Sequence, residues 1–461
     1  MSSQPKSQSG QLLDLFPLWN KIAVMKRNKK LAAVSLAPAL VLAAALAGSA
    51  KPPGFYRDST GDLARETISF YAWYAYKYVH PVKTAAPELV RHFKTQDLKF
   101  TAFPETIPIS RIKIVAAGDI MVKTRMSRAN SSHLFDDIAR QLEHADIAFG
   151  NLEGPADPRK KVSAFPRYNF RSEMVEFFRQ TGFDVFSTAN NHSLDQGWDS
   201  LVQTLDFLDR LGVYHTGTAR SKEERDNNFP VLDVNGIRIA FLAYTFATNG
   251  RKIPEDKPWC VNLVDFNVIG EEPDLSLVQK DIKAARARGA EVVVVAPHWS
   301  LEYEFYPPER LVAVGHRLIE MGADIILGSH PHCLEPMEKY IPQNPGRVGL
   351  PEAFIIYSLG NFIPDSYPAD YRTSVLLGIE LAKAESEEKP QVRIQKIELI
   401  PVFFHAGDQY RLIRIDQALA HPDDPGNAFL KPGDRKTLAR AQELIDYLFL
   451  PESQPLQFFL P

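Results

Sequence analysis

Cysteine is almost missing from this sequence: Cys260 and Cys333 are the only two in 461 residues. That scarcity excludes a disulfide-stapled scaffold and any four-cysteine zinc cluster. It leaves one disulfide or two separate thiols, and separate thiols are the expectation. A surplus of either charge is missing as well. The 53 Lys and Arg residues nearly balance the 56 Asp and Glu, for a formal net charge of -3. No global basic field exists to hold nucleic acid, so nucleic acid is not an expected partner. No repeat of fixed period is visible. The 34 prolines favour loops over long helices. A hydrophobic content of 45% still allows a sizeable core, and the length suits one large domain with extensions, or two domains.

One stretch is apolar over nearly a membrane thickness. Leu31 to Gly48 carries no charge and is mostly Ala, Leu and Val. It approaches the roughly 20 residues that span a bilayer. Lys21, Lys26, Arg27, Lys29 and Lys30 precede it, so residues 1–30 are expected in the cytoplasm and the rest outside. Two readings of residues 31–50 compete. Ala47-Gly48-Ser49-Ala50 offers small residues of the kind signal peptidase accepts, whereas the long polar lead favours an uncleaved anchor. The expected location is the cell membrane with the main domain extracytoplasmic, or secretion after cleavage. Residues 51–110 form an aromatic-rich connection. Within it, Phe70 to Tyr78 reads as a helix packed against the main domain rather than one lying at the headgroups, because it lacks a basic polar face.

From Arg111 onward, apolar runs alternate with amphipathic stretches. Strands are expected at 111–117, 146–149, 184–189, 231–234, 237–244, 291–296 and 323–327. Helices are expected at 131–144, 174–181, 201–211, 275–288 and 310–321. Asn235-Gly236 signals a tight hairpin. Further strands are expected at 336–341, 354–359, 374–381 and 392–402, and a closing helix at 435–449. Alternation followed by strands predicts an α/β fold, two packed sheets with helices outside. The main domain is placed at 111–402 and a C-terminal extension at 403–461.

Polar residues gather where the apolar runs stop. They are Asp119, Asn151 with Glu153, Asn191 with His192, His298, and His330 with His332. Each alone has a plain structural explanation as a turn, a cap or a core histidine. Five such strand ends in one chain point to a ligand site, because open α/β folds bind ligands beyond those ends. If Gly328 ends a strand, His330 and His332 are two apart in an extended segment and face the same way. A donor set of Asp, Glu, Asn and His without Cys suits Mn, Fe or Zn. Two such ions need a bridging carboxylate, and together they serve phosphoryl transfer. Asp195 is placed to orient His192. Arg125, Arg167 and Arg171, with Asn151, are candidates to hold an anionic substrate.

These segments in this order resemble the CapA-type poly-γ-glutamate capsule biosynthesis proteins, a branch of the calcineurin-like metallophosphoesterases. The matching stretches are Ala117-Gly118-Asp119, Asn151-Leu152-Glu153, Ala189 to His192 with Asp195 and Gly197, His298-Trp299 with Glu302-Tyr303, Gly328 to His332, and Ser358 to Phe362. The resemblance implies a four-layered α/β/β/α sandwich with a di-metal cleft. It implies that Asp119 and His332 bind one metal, that Glu153 bridges, and that Asn191, His298 and His330 bind the other. His192 would protonate the leaving oxygen, with Asp195 behind it. Two departures stand out: Ile120-Met121 follows Asp119 where the superfamily has Asp-x-His, and the bridge is Glu rather than Asp. They imply that one metal position is weaker or differently filled. Ser300 stands where the family often has Gly. The implied role is synthesis or export of an anionic capsule polymer such as poly-γ-glutamate. The implied partners are that polymer or a phosphoester substrate, other capsule-synthesis membrane proteins, and the membrane. The alternatives are a secreted metal-dependent phosphoesterase and a non-catalytic polymer-binding scaffold with a vestigial site.

Overall fold

The computed structural model describes residues 68–104, 109–227, 229–365, 368–384 and 391–450. Among these, no helix is long and apolar enough to cross a membrane. The stretch Leu31 to Gly48 lies outside them.

Fourteen strands fall into two sheets among the described residues. In the first sheet, β1 (Ile109–Ile120), β2 (Ile147–Leu152), β3 (Phe183–Ser187) and β4 (Tyr214–Thr216) run parallel. Helices α3 (Ala139–Glu143), α4 (Ser172–Gln180) and α5 (Trp198–Arg210) lie along the connections. In the second sheet, β5 (Val231–Val234) turns into β6 (Ile237–Thr245), which runs parallel to β7 (Val292–His298), β8 (Ile325–Leu327) and β10 (Ala353–Leu359). The helices here are α6 (Lys222–Asn227), α7 (Ser276–Ala287) and α8 (Glu309–Glu320), and β9 (Leu334–Tyr340) is the antiparallel edge. The chain then returns to the first sheet through β11 (Asn361–Ile363), β12 (Thr373–Ala384), β13 (Gln391–Ala406) and β14 (Tyr410–Arg414). Helices α9 (Ile415–Ala420) and α10 (Pro432–Phe449) close it, and α1 (Ile68–Val79) and α2 (Pro87–Lys94) precede β1. The expected α/β class is observed.

Side-chain alternation explains the packing. Along β1, Ile112, Ile114 and Ala116 enter the main core, while Val115 and Ala117 join a second cluster with Met174, Val175 and Phe178 of α4. Phe149 of β2 stacks on Phe241 of β6 with ring centroids 5.8 Å apart, so the two sheets meet face to face. The hairpin at Asn235-Gly236 has φ of 49° and 76°, the left-handed pair that a two-residue turn demands. Tyr74 and Tyr78 of α1 and Leu438 and Leu444 of α10 are buried in the same main core. Both thiols are free and buried, and Cys333 Sγ donates to the Glu304 carbonyl at 2.9 Å.

One expected element is corrected. The helix expected at 131–144 is a 3-10 turn at Asp136–Ile138 followed by the five residues of α3. Its first turn is lost to pairing with β14: Tyr410 N donates to Asn130 O, and Leu412 N to Leu134 O. Those carbonyls are the ones a helix beginning at 131 would have used itself.

What this arrangement positions is the far edge of both sheets. The parallel strands β1, β2, β3, β7, β8 and β10 end on one side, and the chain crosses between sheets there, from Leu359 of β10 into β11. Gly360 makes the crossing with φ 72°, and its carbonyl accepts from Asp119 N at 2.9 Å. Gly118 must be glycine, because a Cβ there would stand 2.0 Å from that carbonyl.

Candidate metal centre

In the sheet register Asp119 lies beside Asn151 on one side and Asn361 on the other. Three short polar side chains therefore share one level at the end of β1. Asn151 Nδ2 donates to Asp119 Oδ1 at 2.8 Å, and Asn361 Oδ1 lies 3.0 Å from His332 Nδ1. His332 Nδ1 also lies 3.3 Å from Asp119 Oδ2. Glu153 follows β2 and is fully buried. Its Oε1 is 3.7 Å from His298 Nε2 and 3.8 Å from His332 Nε2.

His298 is the last residue of β7, with Nδ1 2.9 Å from Ser329 Oγ and Nε2 3.1 Å from Asn191 Oδ1. His330 packs its ring 4.8 Å from His298, 5.9 Å from His332 and 4.7 Å from Phe246, centroid to centroid. The two histidines of the Gly328 loop do converge, but not along an extended segment. His330 has φ 103° and His332 φ 58°, so two left-handed residues turn the imidazoles inward. Such conformations cost of order 1–3 kcal/mol each and collect at functional sites.

His192 and Asp195 form a separate pair at the rim. His192 Nδ1 is 2.7 Å from Asp195 Oδ2, which also accepts from Tyr168 N at 2.7 Å. The other ring nitrogen lies 3.4 Å from the Asn249 amide, and Asn191 Nδ2 donates to the same Asn249 at 3.3 Å. Asn249 sits just past β6, a further strand end that sequence reading missed; its signal was the Asn249-Gly250 turn after an apolar run.

The three arginines part company. Arg167 is exposed beside Arg251, whose Nη2 reaches the Asp195 carbonyl at 3.5 Å. Arg171 spends its guanidinium on the carbonyls of Met126 and Thr124, at 3.0 and 3.2 Å. Arg125 is exposed on the loop after β1, near Tyr410. Besides Asn249 and Arg251, sequence reading gave no role to Glu302. Its carboxylate meets His330 and His332, all three ligand atoms lying within 4.8 Å of one another.

The electrostatics suit a cation. Among the described residues, Asp119 and Glu153 have no Lys or Arg partner, and both Glu153 oxygens and both His330 ring nitrogens have no hydrogen-bond partner. Burial, then the nearby Asp119 and Glu302 carboxylates, push the Glu153 carboxyl well above its ordinary range. Burial pushes His330 down to about 3, and burial with the neighbouring imidazoles pushes His298 down as well. Both rings are therefore neutral, the form that ligates metal. The ligand atoms of Asp119, Glu153 and His332 also lie within 4.8 Å of one another. Orphaned carboxylate oxygens among neutral imidazoles fit a divalent cation, and the donors suit borderline-hard ions.

An α/β protein with a buried carboxylate–imidazole centre at the meeting edge of two sheets is the class that fold and site define. The chain belongs to the family described as bacterial capsule synthesis protein PGA_cap, whose model matches residues 113–366. It is 28% identical over 266 residues to the capsule biosynthesis protein CapA of Bacillus anthracis, covering 55% of this chain and 60% of that protein. It is 29% identical over 274 residues to the PGA biosynthesis protein CapA of Bacillus subtilis, covering 58% and 67%. Among solved structures, the calcineurin-like phosphoesterase YfkN of Bacillus subtilis aligns with 74% of this chain and 99% of its own at 14% identity, with a TM-score of 0.34, a loose likeness.

Glu153 makes the apo state testable. A carboxylate whose folded pKa is raised above its ordinary 4.5 destabilises the fold while ionised. Its penalty is full above the folded pKa, shrinks as pH falls through that value, and is gone below 4.5. In chelator-stripped protein, Glu153→Gln is therefore expected to raise stability at neutral pH by about 1–3 kcal/mol in urea unfolding. It should also flatten the gain in parental stability on acidification. Equal urea midpoints for parent and variant would remove the uncompensated carboxylate from the account.

Proposed function

We propose that this protein serves the synthesis or export of an anionic capsule polymer such as poly-γ-glutamate, through a metal-dependent hydrolase-type site. The observation that carries the reading is the orphaned Glu153 carboxylate, buried among Asp119, His298, His330 and His332. Family membership supplies the capsule context. The packing of helices outside two facing sheets supports the four-layered α/β/β/α architecture of the calcineurin-like metallophosphoesterases.

On this reading Asp119, Glu153 and His332 would hold one divalent ion, and Asn191, His298 and His330 a second, with Glu153 available to both. Mn, Fe and Zn all suit the donor set. Such ions supply Lewis-acid polarisation of a phosphoryl oxygen and a nucleophile at neutral pH. The chain's own side chains do the rest. Asp195 accepts the Nδ1 proton of His192 and holds the ring in place. His192 Nε2, beside Asn249, is then the atom that keeps a proton for the departing oxygen. Arg167 and Arg251 give that rim a positive wall against an anionic chain, the task first assigned to Arg125, Arg167 and Arg171 with Asn151. Asn151 instead braces Asp119, and Arg171 braces the loop after β1.

One observation favours the non-catalytic scaffold as second reading. Met121, at the position where the superfamily has its Asp-x-His histidine, is buried with its sulfur 3.8 Å from Tyr168 Oη. That position offers no imidazole to the first ion.

The experiment compares Glu153→Ala, His330→Ala and His192→Ala for bound metal and for phosphodiester hydrolysis. The first two should lose metal, because the remaining donors cannot complete the shell. The third should keep metal and lose about 10²–10⁴-fold in turnover. Parental metal in all three contradicts the centre, and metal without turnover in the parent leaves the scaffold reading. Localisation at the cell membrane, with the main domain outside, rests on the basic flank before Leu31 to Gly48. A reporter fused after residue 110 should be active only outside the cytoplasmic membrane. Activity inside reverses the topology.

A further inference from the structure

The loop after His298 carries a device that the ligand set above does not use. Ser300 and Tyr303 have φ of 70° and 69°, and these two left-handed residues fold the 299–305 loop back over the centre. Glu302 and Glu304, two apart, both turn toward α1. On α1, Tyr74 and Lys77 are three apart and share one helix face. Tyr74 Oη donates to Glu302 Oε2 and lies 2.9 Å from Tyr303 Oη. Lys77 Nζ pairs with Glu304 Oε1 at 2.6 Å, with both side chains 2% exposed. The backbone adds two bonds, Val82 N to Tyr303 O at 3.0 Å and Phe305 N to Val82 O at 2.8 Å. Residues 74–82 therefore grip residues 302–305 through five contacts, and Glu302 is the gripped residue that meets His330 and His332.

We propose that Glu302 is a metal ligand of this centre, and that Tyr74 of α1 is the positioning residue that holds its carboxylate toward His330 and His332. The inference rests on the metal-centre reading and adds a ligand to it. A carboxylate buried beside two imidazoles has the composition of a divalent-metal shell. A phenol on the carboxylate is the usual kind of support for such a ligand, since it fixes how the group is oriented. The segment entering the domain is thus coupled to the chemistry: α1 cannot leave the 302–305 loop without releasing Glu302. Lys77 serves the same grip from one turn further along, without touching the ligand itself.

The test uses chelator-stripped full chain refilled with Mn²⁺ alone. Bound metal is read by elemental analysis, affinity by competition with a chelating dye, and folding by circular dichroism. Glu302→Gln should lower the stoichiometry or weaken binding at least tenfold. Tyr74→Phe removes one oxygen atom and should weaken binding about 10- to 100-fold at unchanged stoichiometry and unchanged fold. Lys77→Met, which loosens α1 without touching Glu302, should weaken binding less than Tyr74→Phe. Glu153→Gln is the control for the centre itself. If Glu302→Gln and Tyr74→Phe bind Mn²⁺ like the parent while Glu153→Gln does not, the centre stands and this inference is overturned. If Glu153→Gln also binds like the parent, the centre reading fails and takes this inference with it.

Discussion

A buried carboxylate that no donor among the described residues reaches is the constraint on which the rest of this structure depends. Glu153 is shut from water, with Asp119 and Glu302 close enough to raise its proton affinity further. An isolated buried charge is so costly that a carboxyl group there must take up a proton or find a cation. His298 and His330 do not supply that cation, since burial drives both toward the neutral form. A set of lone pairs is thus aimed into one space, and a divalent ion satisfies all of them at once.

The fold supplies this arrangement at some expense in backbone comfort. Two sheets end at one edge, and the chain passes between them through Gly360, close enough to β1 that only glycine fits at Gly118. Gly328 is likewise confined, since a Cβ there would stand 1.8 Å from the Tyr357 carbonyl. Five non-glycine residues at or near the centre, Asn249, Ser300, Tyr303, His330 and His332, take left-handed conformations. Close packing of β7, β8 and β10 behind them is what holds those conformations in place.

Much of this was legible because strand ends are legible. An apolar run that stops at Gly or at a cluster of polar residues announces where a parallel strand leaves its sheet, and Asp119, Glu153, His298 and the two histidines after Gly328 were found that way. What stayed hidden depends on contacts distant in sequence. Glu302 stands out in sequence only as part of a matching stretch, and it has no role there until two positive φ angles in its loop bring it to the histidines. Tyr74 reads as one aromatic among many, because its meaning lies 228 residues away in Glu302. Arg171 and Arg167 look alike in sequence, and only the nearby carbonyls of Thr124 and Met126 separate a brace from a wall. The helix expected at 131–144 failed for the same reason, since β14 competes for its carbonyls.

Anomalous diffraction from crystals soaked in Mn²⁺ tests the central claim most directly. The account predicts a strong peak bounded by the Asp119, Glu153 and His332 side chains, and a second toward Asn191, His298 and His330. Soaked crystals with no anomalous density within coordination distance of Glu153 would contradict it.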